Sequence, residues 1–205
     1  MPISSTKEAL AGVRSTLATA RLGLSDFTRG KSEVQRMAGL RNTIVWGRAV
    51  TQSLHHLKTF EGTKYETWYE PWRHRLESTQ DFQYIYDLRN QLLKEGYIGN
   101  RSANTVVGRF SSAMLESLPR PPHAVAFFIG DSLGGNGWTV QLPDGSRENY
   151  YVELPQQWGI TSYAMFVEPT TQKKIPPPTI PIDRLLTQYL RFLSDMVESA
   201  EKAFA

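Results

Sequence analysis

No cysteine occurs in the 205 residues of this chain. Disulfide bonds, thiol nucleophiles, cysteine-ligated zinc and iron–sulfur clusters are thereby excluded. Histidine is scarce: four residues, none after His123. No apolar run approaches the roughly 20 residues that a membrane span requires. The stretch Met1 to Glu8 lacks the apolar segment of a Sec-type signal, so a cytoplasmic protein is expected. The Gly-rich run from Gly130 to Gly137 lacks the Gly-Lys-Ser/Thr ending of a phosphate loop. No metal and no cofactor are expected.

What remains is an ordinary globular composition, with a hydrophobic fraction of 40% and a charged fraction of 21%. The length suits one domain carrying an insertion. The net charge of +3 is unevenly spread. Residues 1–120 hold 17 Lys and Arg against 11 Asp and Glu, whereas residues 121–205 hold 6 against 9. The basic front half permits a nucleic-acid surface without demanding one.

The front half reads as helices. Ser5 and Glu8 have capping-box spacing, and Ala9, Leu10, Val13 and Leu17 continue a helical stripe. A second helix is expected from Ser32 to Leu57, with Met37, Leu40, Ile44, Trp46, Val50, Leu54 and Leu57 inward. Thr63 and Glu66 form another capping-box match, followed by Tyr65, Trp68, Tyr69, Trp72 and Leu76 at helical spacing; Pro71 is a candidate kink. A fourth helix spans Gln80 to Glu95 and stops at Gly96.

The pattern then changes. Strands are expected over 102–112, 124–129, 138–142, 149–154 and 162–167, with Asp144-Gly145 marking a hairpin. After the stiff connector Ile175 to Pro181, a helix from Ile182 to Ala203 shows the stripe Leu186, Tyr189, Leu190, Leu193, Met196, Val197 and Ala200. The expected organisation is one domain: helices over 1–100, a β-rich insertion over 102–170, and a C-terminal helix over 180–205 that returns to the bundle.

On a wheel of the fourth helix with Phe82 at the origin, Ile85, Tyr86, Arg89 and Leu93 fall on the apolar face. Asn90 and Lys94 share a more polar face with Asp87. A guanidinium on an apolar face needs a partner or a ligand, and Glu66 and Asp26 are candidate partners for Arg89. On the second helix Arg41, Arg48, Gln52 and His55 share one sector. That stripe is either a solvated face or the wall of a phosphate-holding cleft.

The segment Arg89-Asn90-Gln91-Leu92-Leu93-Lys94 resembles the Arg-polar-x-x-x-His motif of the HEPN domains, a helical-bundle family with many RNA-cutting members. Trp68-Tyr69-Glu70, the Asp144-Gly145 hairpin and Tyr150 to Pro155 also resemble a bacterial group of HEPN-like bundles. The resemblance implies a mainly α fold: a HEPN-like bundle with a small antiparallel β insertion, assembled as a homodimer. It implies binding of RNA, or of a protein partner, in defence or stress response. Lys94 stands where the family has its His, and an exposed lysine with a pKa near 10.4 is a poor general base. The expectation is therefore a catalytically degenerate binding module with Arg89, Asn90, Lys94, Arg41, Arg48 and His55 as binding residues. One alternative is a metal-independent ribonuclease, in which Arg89 works with His55, His56 or His74 from another helix or protomer. Another is an interaction scaffold that uses the β insertion.

Two further patterns carry less. Gly130-Asp131-Ser132-Leu133 resembles the nucleophile block of the GDSL esterases, but no His follows to complete the catalytic set; a turn with positive φ is the plainer reading. The stripe Tyr65, Trp68, Tyr69, Trp72 suits a core more than base stacking. Adjacent His55 and His56 diverge by about 100° on a helix and are not a metal pair.

Overall fold

The computed structural model describes residues 3–204 and is mainly helical. Helix α1 (Thr6–Arg29) begins where Ser5 accepts the Glu8 N–H at 3.3 Å. The Glu8 carboxylate reaches back to Ser4 rather than Ser5, so the second half of the expected box is displaced by one residue. Helix α2 (Glu33–Leu54) returns antiparallel along α1 after the cap at Ser32. The two backbones meet closely at Gly39, where an added Cβ would lie 2.3 Å from the Phe27 nitrogen.

The second helix ends at Leu54, three residues before the expected limit, and Leu57 opens α3 (Leu57–Ser78). Helix α3 breaks at Gly62, whose φ is +50°, and not at Pro71, which stays helical. Helix α4 (Gln80–Glu95) stops on Gly96 at φ +69°, the left-handed cap that glycine adopts without strain. Helix α5 (Ile182–Phe204) closes the chain. It lies antiparallel to α1, with Arg14 ion-paired to Glu201 at 2.9 Å and Arg21 donating to Ser194 Oγ at 2.7 Å. All seven residues of its expected stripe are buried.

Between α4 and α5 lie five strands in two antiparallel sheets. Strands β1 (Arg101–Val106) and β5 (Thr161–Phe166) form a ribbon. Strands β2 (Ala124–Ile129), β3 (Asn136–Gln141) and β4 (Arg147–Tyr151) form a meander. The strand expected over 102–112 ends at Val106, because that residue already faces the first residue of β5, Thr161. The meander has its own small core of Leu118, Trp138, Val152 and Trp158. It is tied to the helices where Tyr151 N–H donates to the Lys31 carbonyl at 2.9 Å and the Arg36 guanidinium stacks 3.9 Å over the Tyr151 ring.

The Gly-rich run is a turn over residues 130–135, after which Asn136 and Gly137 open β3: Gly130 and Gly134 have positive φ, and Asp131 accepts the N–H groups of Leu133 and Gly135. Asp131 also accepts from the Tyr151 hydroxyl, so the residue resembling an esterase element anchors a loop. Among the described residues no helix is long and apolar enough to cross a membrane.

Candidate functional site

Helix α4 buries a different face from the expected one. Tyr84, Ile85, Leu88 and Leu92 point inward together with two polar residues, Asp87 and Gln91. Leu88 therefore marks the centre of the buried face. Arg89 sits half-buried at its edge, and Leu93 is 55% exposed. The polar Asp87 and Gln91 disguise the inward stripe, which is why a wheel anchored on Phe82 is rotated from the true one.

Arg89 pairs with neither Glu66 nor Asp26. Glu66 bonds Lys58 and Asp26 accepts from Gln35. Instead the Arg89 Nη1 donates to Asn90 Oδ1 at 3.1 Å, and its Nε is buried without a partner. The two matched residues of the motif are thus bonded to each other. Tyr86, Asn90 and Lys94 follow at i, i+4 and i+8 along the outer face.

Helix α2 runs antiparallel to α4 and sets the other wall. Arg41 donates to the Gly96 carbonyl at 3.2 Å, so a cation satisfies a carbonyl at the end of α4. Seven residues on, the Arg48 guanidinium lies 5.0 Å from the centre of the Tyr86 ring. Asn90 and Arg89 lie between these two levels. Arg41 thus has a carbonyl partner; Arg48 donates from Nη1 to Thr51 Oγ1, but has no carboxylate within 4 Å among the described residues and a buried, unpartnered Nε.

Beside Arg48 opens a cavity of about 420 Å³ between α2, α3, α4 and α5. Its aromatic lining is Tyr69, Phe82, Tyr86 and Tyr189. Tyr189 is buried and forms the floor over Gly47, where an added Cβ would meet its ring at 2.8 Å. Burial pushes the hydroxyl pKa of both Tyr69 and Tyr189 up, so both phenols stay neutral. Lys173 lines the cavity from the connector before α5, with its ammonium 5.3 Å from the same Tyr86 ring.

The position of Lys173 is built into the backbone. Its N–H donates to Asp87 Oδ2 at 3.2 Å, and Asp87 is fully buried. Thr170 and Ile175 close the turn through N–H to carbonyl and N–H to hydroxyl bonds of 3.0 and 3.2 Å. Lys174 takes φ +52°, a left-handed conformation that costs a non-glycine residue about 1–3 kcal/mol. Sequence reasoning missed Lys173 and Asp87. Nothing local marks Lys173, and the one signal for Asp87 was a carboxylate directly before the inward Leu88.

His55 does not join this group directly. Its ring shares a 3.0 Å hydrogen bond with the Tyr65 hydroxyl and packs edge-on against Tyr69, 4.9 Å between centres. Burial, and then the charges of Arg48 and Lys58, hold its pKa below the ordinary histidine value. Arg48 is level with Tyr86; His55 lies seven residues beyond Arg48 in one direction, and Arg89 lies three residues beyond Tyr86 in the other, toward Gly96. At 1.5 Å per residue, His55 and Arg89 are separated by about 15 Å along the helix axes. His55 is covered only where it meets Tyr65 and Tyr69 and is otherwise exposed, as His56 and His74 are. Among the described residues no cluster of three or more His, Asp or Glu has metal-holding geometry.

No family model, curated protein or solved structure matches this chain. The site is therefore read from its own chemistry.

Proposed function

We propose that this chain is a catalytically degenerate HEPN-like module that binds single-stranded RNA along the groove between α2 and α4. The observation that carries the reading is Arg48: a half-buried guanidinium with no carboxylate partner, set against an exposed tyrosine ring beside an aromatic cavity. Unpaired cations interleaved with aromatic faces are what a backbone-tracking, base-stacking surface requires. Arg89, Asn90 and Lys94 extend the same wall. Arg41 acts as a brace for α4, and His55 supports Tyr69 from behind.

The degenerate reading is favoured over a ribonuclease by chemistry. The position of the family's histidine is an exposed lysine, and His55 is too far from Arg89 to share one phosphate within the protomer. A second reading, a protein-interaction scaffold, draws on the exposed Val106, Val107, Phe110 and Val125 of the β part.

The test incubates labelled single-stranded RNA with the wild type, Arg89→Ala and Lys94→Ala at low salt, scoring mobility shift and cleavage together. A shift without cleavage, weakened in both variants, is expected. Cleavage that disappears in Arg89→Ala would make the protein an enzyme. Absence of any shift would remove RNA and leave the scaffold reading.

A further inference from the structure

We infer that the cavity between α2, α3, α4, α5 and the Thr170–Ile175 turn is a seat for one nucleotide bearing a phosphomonoester, as the end of a strand or as a free nucleotide. In its strand form the inference rests on the RNA-binding reading and names what the groove recognises at this end.

Charge comes first. Arg48 and Lys173 both line the cavity, both lie within 5.3 Å of the Tyr86 ring centre, and neither has an ion-pair partner among the described residues. Arg73, the third lining cation, is held by Glu70 at 2.7 Å. Glu77 is the one lining acid. Arg48 Nη1 donates to Thr51 Oγ1, which leaves its charge uncompensated, and two uncompensated cations beside one ring attract an anion into the cavity that both line. A phosphodiester carries one negative charge; a phosphomonoester carries about −1.5 to −2 at neutral pH and offers three acceptor oxygens. The second matches the charge of two cations. Glu77 suits a hydroxyl of the ribose, which donates where a phosphate cannot.

Shape comes second. A cavity of about 420 Å³ lies at the small end of the usual range for small-molecule sites, about 300–1,000 Å³. Its floor is closed, because Tyr189 rests against α2 at Gly47. A nucleotide can therefore enter from the mouth but cannot pass between α2 and α5. The side chains of Tyr69, Phe82 and Tyr86 give a base apolar lining to pack against.

The third support is the turn itself. The buried Asp87 carboxylate and the left-handed Lys174 fix the backbone so that Lys173 reaches over Tyr86. Strain of that kind persists where the surroundings over-determine it, as they do at ligand clamps.

The experiment measures fluorescence anisotropy of one RNA sequence prepared with a 5′-phosphate, a 3′-phosphate or hydroxyl ends. Calorimetry with a nucleoside monophosphate and its nucleoside forms the second arm. Lys173→Ala is the main variant, since the bond to Asp87 uses its backbone N–H and the side chain is exposed; a thermal melt confirms its fold. One phosphorylated end is expected to bind at least about tenfold tighter than hydroxyl ends, and the variant to lose that preference. Arg48→Met should lose it too. Equal affinity for all three ends, or a preference that survives Lys173→Ala, would overturn the inference and leave RNA binding standing. Binding of the monophosphate without RNA would support the seat and overturn the RNA reading. Silence in both arms would overturn both.

Discussion

The Arg48 guanidinium lies 5.0 Å from the Tyr86 ring centre while its Nε is buried without a partner. The two facts pull in opposite directions. A cation over an exposed ring contributes about 0.5–1 kcal/mol, and a buried unsatisfied N–H costs about 1–3 kcal/mol. The hydrogen bond from Arg48 Nη1 to Thr51 Oγ1 offsets part of that cost, so the net contribution of Arg48 to stability is small and its charge stays without a carboxylate. Arg48→Met should unfold within about 1 kcal/mol of the wild type, or be slightly more stable, while RNA binding weakens. Urea unfolding beside the mobility shift checks this. A loss of 3 kcal/mol with binding retained would make Arg48 structural.

Gly39 sets the closest approach of α1 and α2. A Cβ there would stand 2.3 Å from the Phe27 nitrogen and 2.6 Å from the Gly23 carbonyl oxygen. Backbone atoms cannot rotate away as side chains do, so the helices must part. Gly39→Ala should cost about 1–3 kcal/mol despite alanine's better helix propensity. Gly12→Ala is the matched control: the position has no neighbour within 4 Å, and its stability should rise. Denaturant midpoints that order the two the other way would refute this account of the contact.

Local patterns in the sequence revealed much of this architecture. The α5 stripe is buried as its spacing predicts, and Gly145 turns the β3–β4 hairpin at φ +85°. Strand β2 has the expected limits. Features set by distant partners were not visible. Val106 ends β1 because of β5, 55 residues downstream. Lys173 meets Tyr86 only because Asp87 holds its backbone. Of the candidate site, Arg48 was named for its place on a helical stripe. Arg89 was named for burial that it does not fully have, since Asp87 and Gln91 take inward positions that a hydrophobicity pattern assigns to solvent.

Glu168 fastens the end of β5 to the turn after α4. Its carboxylate accepts from the Tyr97 hydroxyl, from Asn100 N–H at 2.9 Å and from Asn100 Nδ2 at 2.8 Å. These bonds, the Tyr97 hydroxyl first, hold its pKa below the ordinary glutamate value. A lowered folded pKa means the contribution is complete above the unfolded value and is lost as pH falls through the folded one. Glu168→Gln should therefore be less stable than the wild type at pH 7, and the gap should narrow as pH falls from the unfolded pKa through the folded one. A gap that stays constant across that range would assign the effect to shape and not to charge.

His55 gives the opposite kind of test, because its neighbours disfavour the proton. Burial against Tyr65 and Tyr69 comes first, followed by the positive charges of Arg48 and Lys58. The folded pKa lies below the unfolded value near 6.5, so the unfolded chain takes up the proton first as pH falls. Stability from this residue is therefore full above pH 6.5 and declines as pH drops through the folded pKa. An NMR titration of the His55 ring should show its midpoint below 6.5, and Arg48→Met should raise it by removing a repelling charge. That second shift also reports on the site: a phosphorylated nucleotide held by Arg48 would offset the same charge and move the His55 midpoint upward without any mutation. A midpoint at or above 6.5 in the free protein would mean that the contacts with Tyr65 and Tyr69 and the charge of Arg48 do not disfavour its proton.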